Sequence, residues 1–198
     1  MKHLECLILF LILIGCSEEK RQISRLDGSQ ISYTELDKRV QTLVDTAKVT
    51  GFTLTVYNQD SVAYQKSFGY SKFDSKDSLK VNQVFYGASL SKAVFGYLVA
   101  QLAHERIIDL DKPLQDYLDV PIPEMKFDKE WRGFKNLAGD PRYKEITARM
   151  CLSHTTGLPN WRWISRTEVF TPEGDILFYF DPGTEYSYSG EGMMLLQY

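Results

Sequence analysis

The sequence has no surplus of positive charge. Its 198 residues carry 23 Lys and Arg against 26 Asp and Glu, a formal net charge of −3. No basic field exists to hold a phosphate backbone, so nucleic acid is excluded as an expected partner. Glycine motifs that cradle nucleotides, Gly-x-Gly-x-x-Gly and Walker A, are absent, and there are no internal repeats. Cysteine is scarce, with three in the chain. Cys151 and His154 have metal-like spacing, but no second pair completes a site, so neither metal nor cofactor is expected. The apolar run from Cys6 to Ile14 has nine residues, where a membrane-spanning helix needs roughly 20. What is present is ordinary globular material: 43% hydrophobic and 25% charged residues, which excludes disordered and fibrous classes. The length suits one domain or a piece of a larger one.

A cationic start, Met1-Lys2-His3, followed by a short apolar core describes a secretory signal. Its end, Leu13-Ile14-Gly15-Cys16, resembles the lipobox of bacterial lipoproteins. That resemblance implies cleavage before Cys16 and lipid on its sulfur, which anchors a protein to a membrane without spanning it. The expected location is the bacterial cell envelope, facing the periplasm or the exterior. Residues 1–15 then form the signal, 16–31 a polar tether and 32–198 the domain. With Cys6 removed and Cys16 lipidated, only Cys151 remains, so no internal disulfide can form. Its apolar surroundings predict a buried structural thiol.

Ser32-Tyr-Thr-Glu35 is a capping-box pattern. After it, Leu36, Val40, Leu43, Val44 and Ala47 recur at helical spacing and predict a helix over about 33–48, stopped by Gly51. Alternation in 52–57 and again in 62–70, across Asn58-Gln59-Asp60, predicts a β-hairpin. From Ser89 to Glu105 apolar residues cover every face, the pattern of a buried helix. A short helix is expected from Asp111 to Leu118, then a long loop over 124–145. Thr147 is positioned to cap a short helix ended by Gly157, and Thr171-Pro172 reads as another helix start. Asp181-Pro-Gly183 is a turn, and residues 190–198 read as the opening turns of a helix.

The chemistry concentrates in Ser89-Leu-Ser-Lys92. Positions three apart share a helix face, so a lysine amine sits beside a serine hydroxyl. Serine is a weak nucleophile at neutral pH and needs a base; a lysine amine serves only when its pKa falls through burial or a nearby cation. The helix N-terminus would favour an oxyanion forming there. The commonplace role for Ser89 is an N-cap. Ser17-Glu-Glu-Lys20 matches the same spacing in the tether, without a helix to organise it. Gly87-Ala-Ser-Leu-Ser91 is one glycine short of a nucleophile elbow, a rival that would need His154 as base. Tyr188 is the third candidate, since a phenol near Lys92 can relay a proton. Its commonplace role is as an aromatic core residue.

Four segments in order resemble the serine β-lactamase and penicillin-binding-protein family, in particular its class C and esterase-like branch. They are Phe85-Tyr-Gly-Ala-Ser-Leu-Ser-Lys92, Ile107-Ile-Asp-Leu-Asp-Lys-Pro113, Ile146-Thr-Ala-Arg-Met-Cys-Leu-Ser-His-Thr-Thr-Gly-Leu-Pro159 and Pro182-Gly-Thr-Glu-Tyr-Ser-Tyr-Ser-Gly190. The resemblance implies an α+β fold of the DD-peptidase/β-lactamase type and a hydrolase acting on an ester, amide or β-lactam. Ser89 would be acylated, Lys92 would help deprotonate it, and Tyr188 would carry the proton to the leaving group. The implied partner is a small-molecule or peptide substrate. Gly190 stands where many members have Asn, which removes a side-chain amide that would contact substrate. The segment around His154 is implied to be structural. The family's third motif, Lys/His-x-Gly on a later strand, has no match after Tyr188. The chain is therefore expected to hold the N-terminal hairpin and the helical region of such a domain, without the remaining sheet strands. A sensor that is acylated once, or an inert homologue, is the alternative to a turning-over enzyme.

Overall fold

The computed structural model describes residues 21–198. The signal, the lipobox and Cys16 lie outside the described residues. The chain divides into two compact units, one reaching Phe85 and one from Tyr86 to Tyr198.

In the first unit, β1 (Gln22–Ser24) and β2 (Gln30–Ser32) pair antiparallel. The stretch expected to be a polar tether thus carries a hairpin. Its reason is two isoleucines: Ile23 and Ile31 face each other across the ladder and are buried with Tyr64. Helix α1 (Tyr33–Ala47) starts where the capping pattern predicts, with the Ser32 hydroxyl accepting from the Glu35 N–H. It ends at Lys48, in the left-handed region at φ 53°, and not at Gly51. Val40 and Val44 form its buried stripe with Phe68. β3 (Gly51–Asn58) and β4 (Ser61–Gly69) make the expected hairpin, with a bulge between Val56 and Tyr57. Gln59 and Asp60 both take positive φ at its turn, as a hairpin that matches strand twist requires.

The second unit opens with a tight turn, Ala88–Leu90, running into α2 (Ser91–His104). Only Val99 of α2 is buried. Val94, Tyr97 and Leu98 stay exposed, which corrects the expectation of a helix covered on all sides: among the described residues nothing covers that face. The helix expected over 111–118 is a single 3-10 turn, Leu114–Tyr117. The expected loop at 124–145 is instead an ordered run of short turns that drives Phe134, Leu137 and Tyr143 into the core. These pack with Ile122, Ile146, Ala148, Leu158, Ile176 and Leu195.

Helix α3 (Ala148–Leu152) is capped by Thr147, whose hydroxyl accepts from the Met150 N–H. Cys151 on α3 is fully buried and burial pushes its thiol pKa up, which makes it the inert structural thiol expected. The chain leaves α3 through His154 at φ 59°, before reaching Gly157. No helix follows Thr171-Pro172. Gly174 turns the chain there at φ 68° after one turn closed by its N–H on the Thr171 carbonyl. Helix α4 (Gly190–Leu195) begins as expected, with Ser189 as its cap.

Candidate active site

Three segments of the second unit converge. The first is the turn before α2. Ala88 adopts φ 44°, a conformation that L side chains rarely take, and this places Ser89 exposed at the tip, one residue ahead of Leu90 and α2. Such strain is characteristic of functional turns. The second segment follows α3 and carries His154 to Trp161. The third is the extended run up to Ser189, which carries Tyr188.

Lys92 lies on the first turn of α2. Its Nζ donates to the Ser89 Oγ at 3.2 Å. The same ammonium stands 5.2 Å from the centre of the Tyr188 ring, within cation–π range. The Ser89 hydroxyl first, and then the Lys92 ammonium, hold the Tyr188 phenol pKa below the usual tyrosine value. All three residues singled out from the sequence are therefore brought together. Tyr188 is partly exposed and is not the core aromatic that its neighbours suggested. The rival elbow fares differently. The Nδ1 of His154 accepts the Ser189 N–H at 3.1 Å, and the group that reaches Ser89 is Lys92.

His154 fixes the Tyr188 segment from both sides of that residue. Its carbonyl accepts the Ser187 N–H at 3.0 Å and its Nδ1 accepts the Ser189 N–H. Its ring lies 4.4 Å from that of Tyr188 at 39°. The bond to Nδ1 needs a lone pair there. Burial, and secondarily the charge of Lys92, lower the His154 pKa below the ordinary 6.5. The unfolded chain therefore binds a proton near pH 6.5 that the folded chain resists, so stability is lost as pH falls through that range. The melting temperature is expected to drop between pH 7 and pH 5. In His154→Asn, which keeps an acceptor and suits positive φ, the drop should shrink. An identical drop in both proteins would remove His154 as its source.

Sequence reasoning missed a buried ion pair. Arg162 and Glu191 have side chains only 4% and 2% exposed. The guanidinium donates to both carboxylate oxygens, Nε to Oε1 at 3.1 Å and Nη2 to Oε2 at 2.5 Å. It also donates to the carbonyls of Trp131 and Gly133, while the Arg162 N–H donates to Glu191 Oε1. Glu191 is three residues past Tyr188, so the pair locks the segment that carries the phenol. Nothing in the sequence spacing, 29 residues apart, signalled it.

A family model described as Beta-lactamase matches residues 36–198. A penicillin-binding protein from Bacillus subtilis (strain 168) is 29% identical over 177 residues, 80% of this chain and 34% of that protein. Among solved structures, an octameric penicillin-binding protein homologue from Pyrococcus abyssi is similar with a TM-score of 0.59 and 17% identity, over 84% of this chain and 38% of that one. A D-amino acid amidase from Ochrobactrum anthropi SV3 gives a TM-score of 0.56 at 20% identity, over 80% and 42%. The chain thus spans about a third of the length of the curated relative and about two fifths of each structure. The likeness bears out the expected fold class, with helices and strands mixed as in the N-terminal part of that α+β architecture.

Proposed function

Because this chain belongs to the beta-lactamase family, we propose that it works as a serine hydrolase with Ser89 as the acylated nucleophile. The observation that carries this reading is the 3.2 Å contact between Lys92 Nζ and Ser89 Oγ beside the Tyr188 phenol. The Ser89 oxygen attacks the carbonyl carbon of an ester or amide. Its proton passes to the Lys92–Tyr188 pair, for which the lowered phenol pKa supplies an acceptor. The carbonyl carbon–leaving-group bond breaks and Tyr188 returns the proton to the departing alcohol or amine. Water then hydrolyses the acyl-enzyme, with the same pair taking its proton. The oxyanion of each tetrahedral intermediate forms next to the start of α2, whose N-terminal N–H groups favour negative charge.

An amide or ester is preferred over a β-lactam as substrate, because Gly190 offers no side chain of its own to hold one. Among its relatives in fold is an enzyme that acts on D-amino acid amides. Pre-steady-state hydrolysis of an activated aryl ester by the full-length protein tests the reading. A burst of phenol equal to the enzyme, followed by steady release, supports turnover. One equivalent and no more would identify a sensor that stays acylated, and no release of phenol above the uncatalysed rate would remove Ser89 from the role.

The lipobox-like end Leu13-Ile14-Gly15-Cys16 supports a second part of the proposal, a lipid anchor on Cys16 that holds the enzyme in the bacterial cell envelope. Wild-type protein should partition into detergent and Cys16→Ser into water, with a mass lacking the acyl groups. Equal partitioning and unmodified mass in both would refute the anchor.

A further inference from the structure

Ser189 is extended, at φ −124° and ψ 110°, so Tyr188 and Gly190 face the same side of the chain. Ser189 points the other way: it is fully buried, accepts the Gly192 N–H at 2.8 Å and donates to the Pro159 carbonyl at 3.2 Å. The side shared by Tyr188 and Gly190 is therefore the side of Lys92 and Ser89. At Gly190 the space for a side chain is taken. A Cβ there would lie 2.5 Å from the Asn160 carbonyl oxygen and 3.0 Å from its Oδ1. Asn160 thus takes the position next to the phenol, its main-chain carbonyl oxygen nearest and its carboxamide oxygen beside it.

The setting of Asn160 is rigid while its side chain is uncommitted. Pro159 before it is fully buried and accepts from Ser189 and from the Glu191 N–H. Arg162, two residues after it, is clamped by Glu191. Among the described residues the Asn160 carboxamide makes no hydrogen bond. It lines a cleft of about 270 Å³ with Lys92, Phe95, Trp161 and Met193. Glu191 also borders this cleft, with its charge spent on Arg162. A carboxamide offers two donors and an acceptor, which complement a peptide-type amide. The apolar walls suit the side chain such an amide carries.

We infer that Asn160 is the specificity residue of this site, binding an amide in the acyl half of the substrate while Phe95, Trp161 and Met193 hold its apolar substituent. The inference rests on the acyl-enzyme reading of Ser89. It turns the loss at Gly190 into a relocation, and the substrate class becomes esters or amides of N-acylated amino acids.

The test uses two aryl esters with one leaving group: an ester of an N-acylated glycine, and its isostere with the amide replaced by two methylenes. Asn160→Ala in the full-length protein should lower kcat/KM for the amide-bearing ester about tenfold, the worth of one net hydrogen bond. The isostere should change less than twofold. Asn160→Asp, of nearly the same shape, should also lose the preference, since it has no donor for the substrate carbonyl. Equal losses on both esters, or none, would overturn the inference while the Ser89 reading stands. Wild-type protein that releases phenol from neither ester would overturn both.

Discussion

Ser89→Ala should abolish covalent capture of an activated acyl or phosphonate probe and lower ester turnover by about 10⁴-fold or more. The reason is chemical: the Ser89 hydroxyl accepts the Lys92 ammonium hydrogen bond, and alanine offers no oxygen to acylate. What survives should be only the modest acceleration that binding and polarisation supply without a nucleophile. Because Ser89 is exposed and caps no helix, its removal should leave the melting temperature within a degree or two. Labelling and melting, measured together, separate loss of chemistry from loss of fold. Labelling that survives the substitution would remove Ser89 from its role.

Glu191→Ala should have the largest effect on stability, a loss of about 3–5 kcal/mol. The substitution deletes a carboxylate that accepts from the Arg162 backbone and two guanidinium nitrogens. Arg162, 5% exposed, is then left charged in the interior. Its bonds to the carbonyls of Trp131 and Gly133 survive, but neither neutralises the charge. Arg162→Met combined with Glu191→Leu should recover much of the loss, since an apolar pair of similar volume needs no desolvation. Urea unfolding of wild type, both single variants and the double variant measures this as a cycle. A cost below about 1 kcal/mol for Glu191→Ala would show the pair to be solvated, as surface pairs are. Tyr188 should lose its position in the same variant, so acylation should slow beyond what the unfolded fraction explains.

Local rules were the legible ones. Ser32 and Thr147 cap helices where their sequence contexts predict, because a cap depends on three or four consecutive residues. The triad of Ser89, Lys92 and Tyr188 was legible for a mixed reason. The first two are bound by helical periodicity; the third was singled out for what a phenol can do, but its place beside Lys92, 96 residues away, came only through family resemblance. Apolarity misled at α2, where Val94, Tyr97 and Leu98 are exposed; composition reports which faces want a partner, and only tertiary packing supplies one. Polarity misled at 22–32, where two isoleucines suffice to seat a hairpin on Tyr64. The contacts that tune the site were not legible. Arg162 with Glu191 and Asn160 with Gly190 are pairings between segments about 30 residues apart. Gly190 carried the one available hint, because an isolated glycine often marks a close approach of another backbone.

The central claim is that the hydroxyl beside Lys92 and Tyr188 forms the acyl-enzyme. Its most direct test is peptide mapping by mass spectrometry of the full-length protein, trapped during turnover of an N-acylated amino acid ester. The account predicts one acyl group per chain, on Ser89 within the tryptic peptide that ends at Lys92, disappearing as substrate is exhausted. An acyl group on Ser91 or on any other residue, or turnover with no trapped adduct in that peptide, would contradict it.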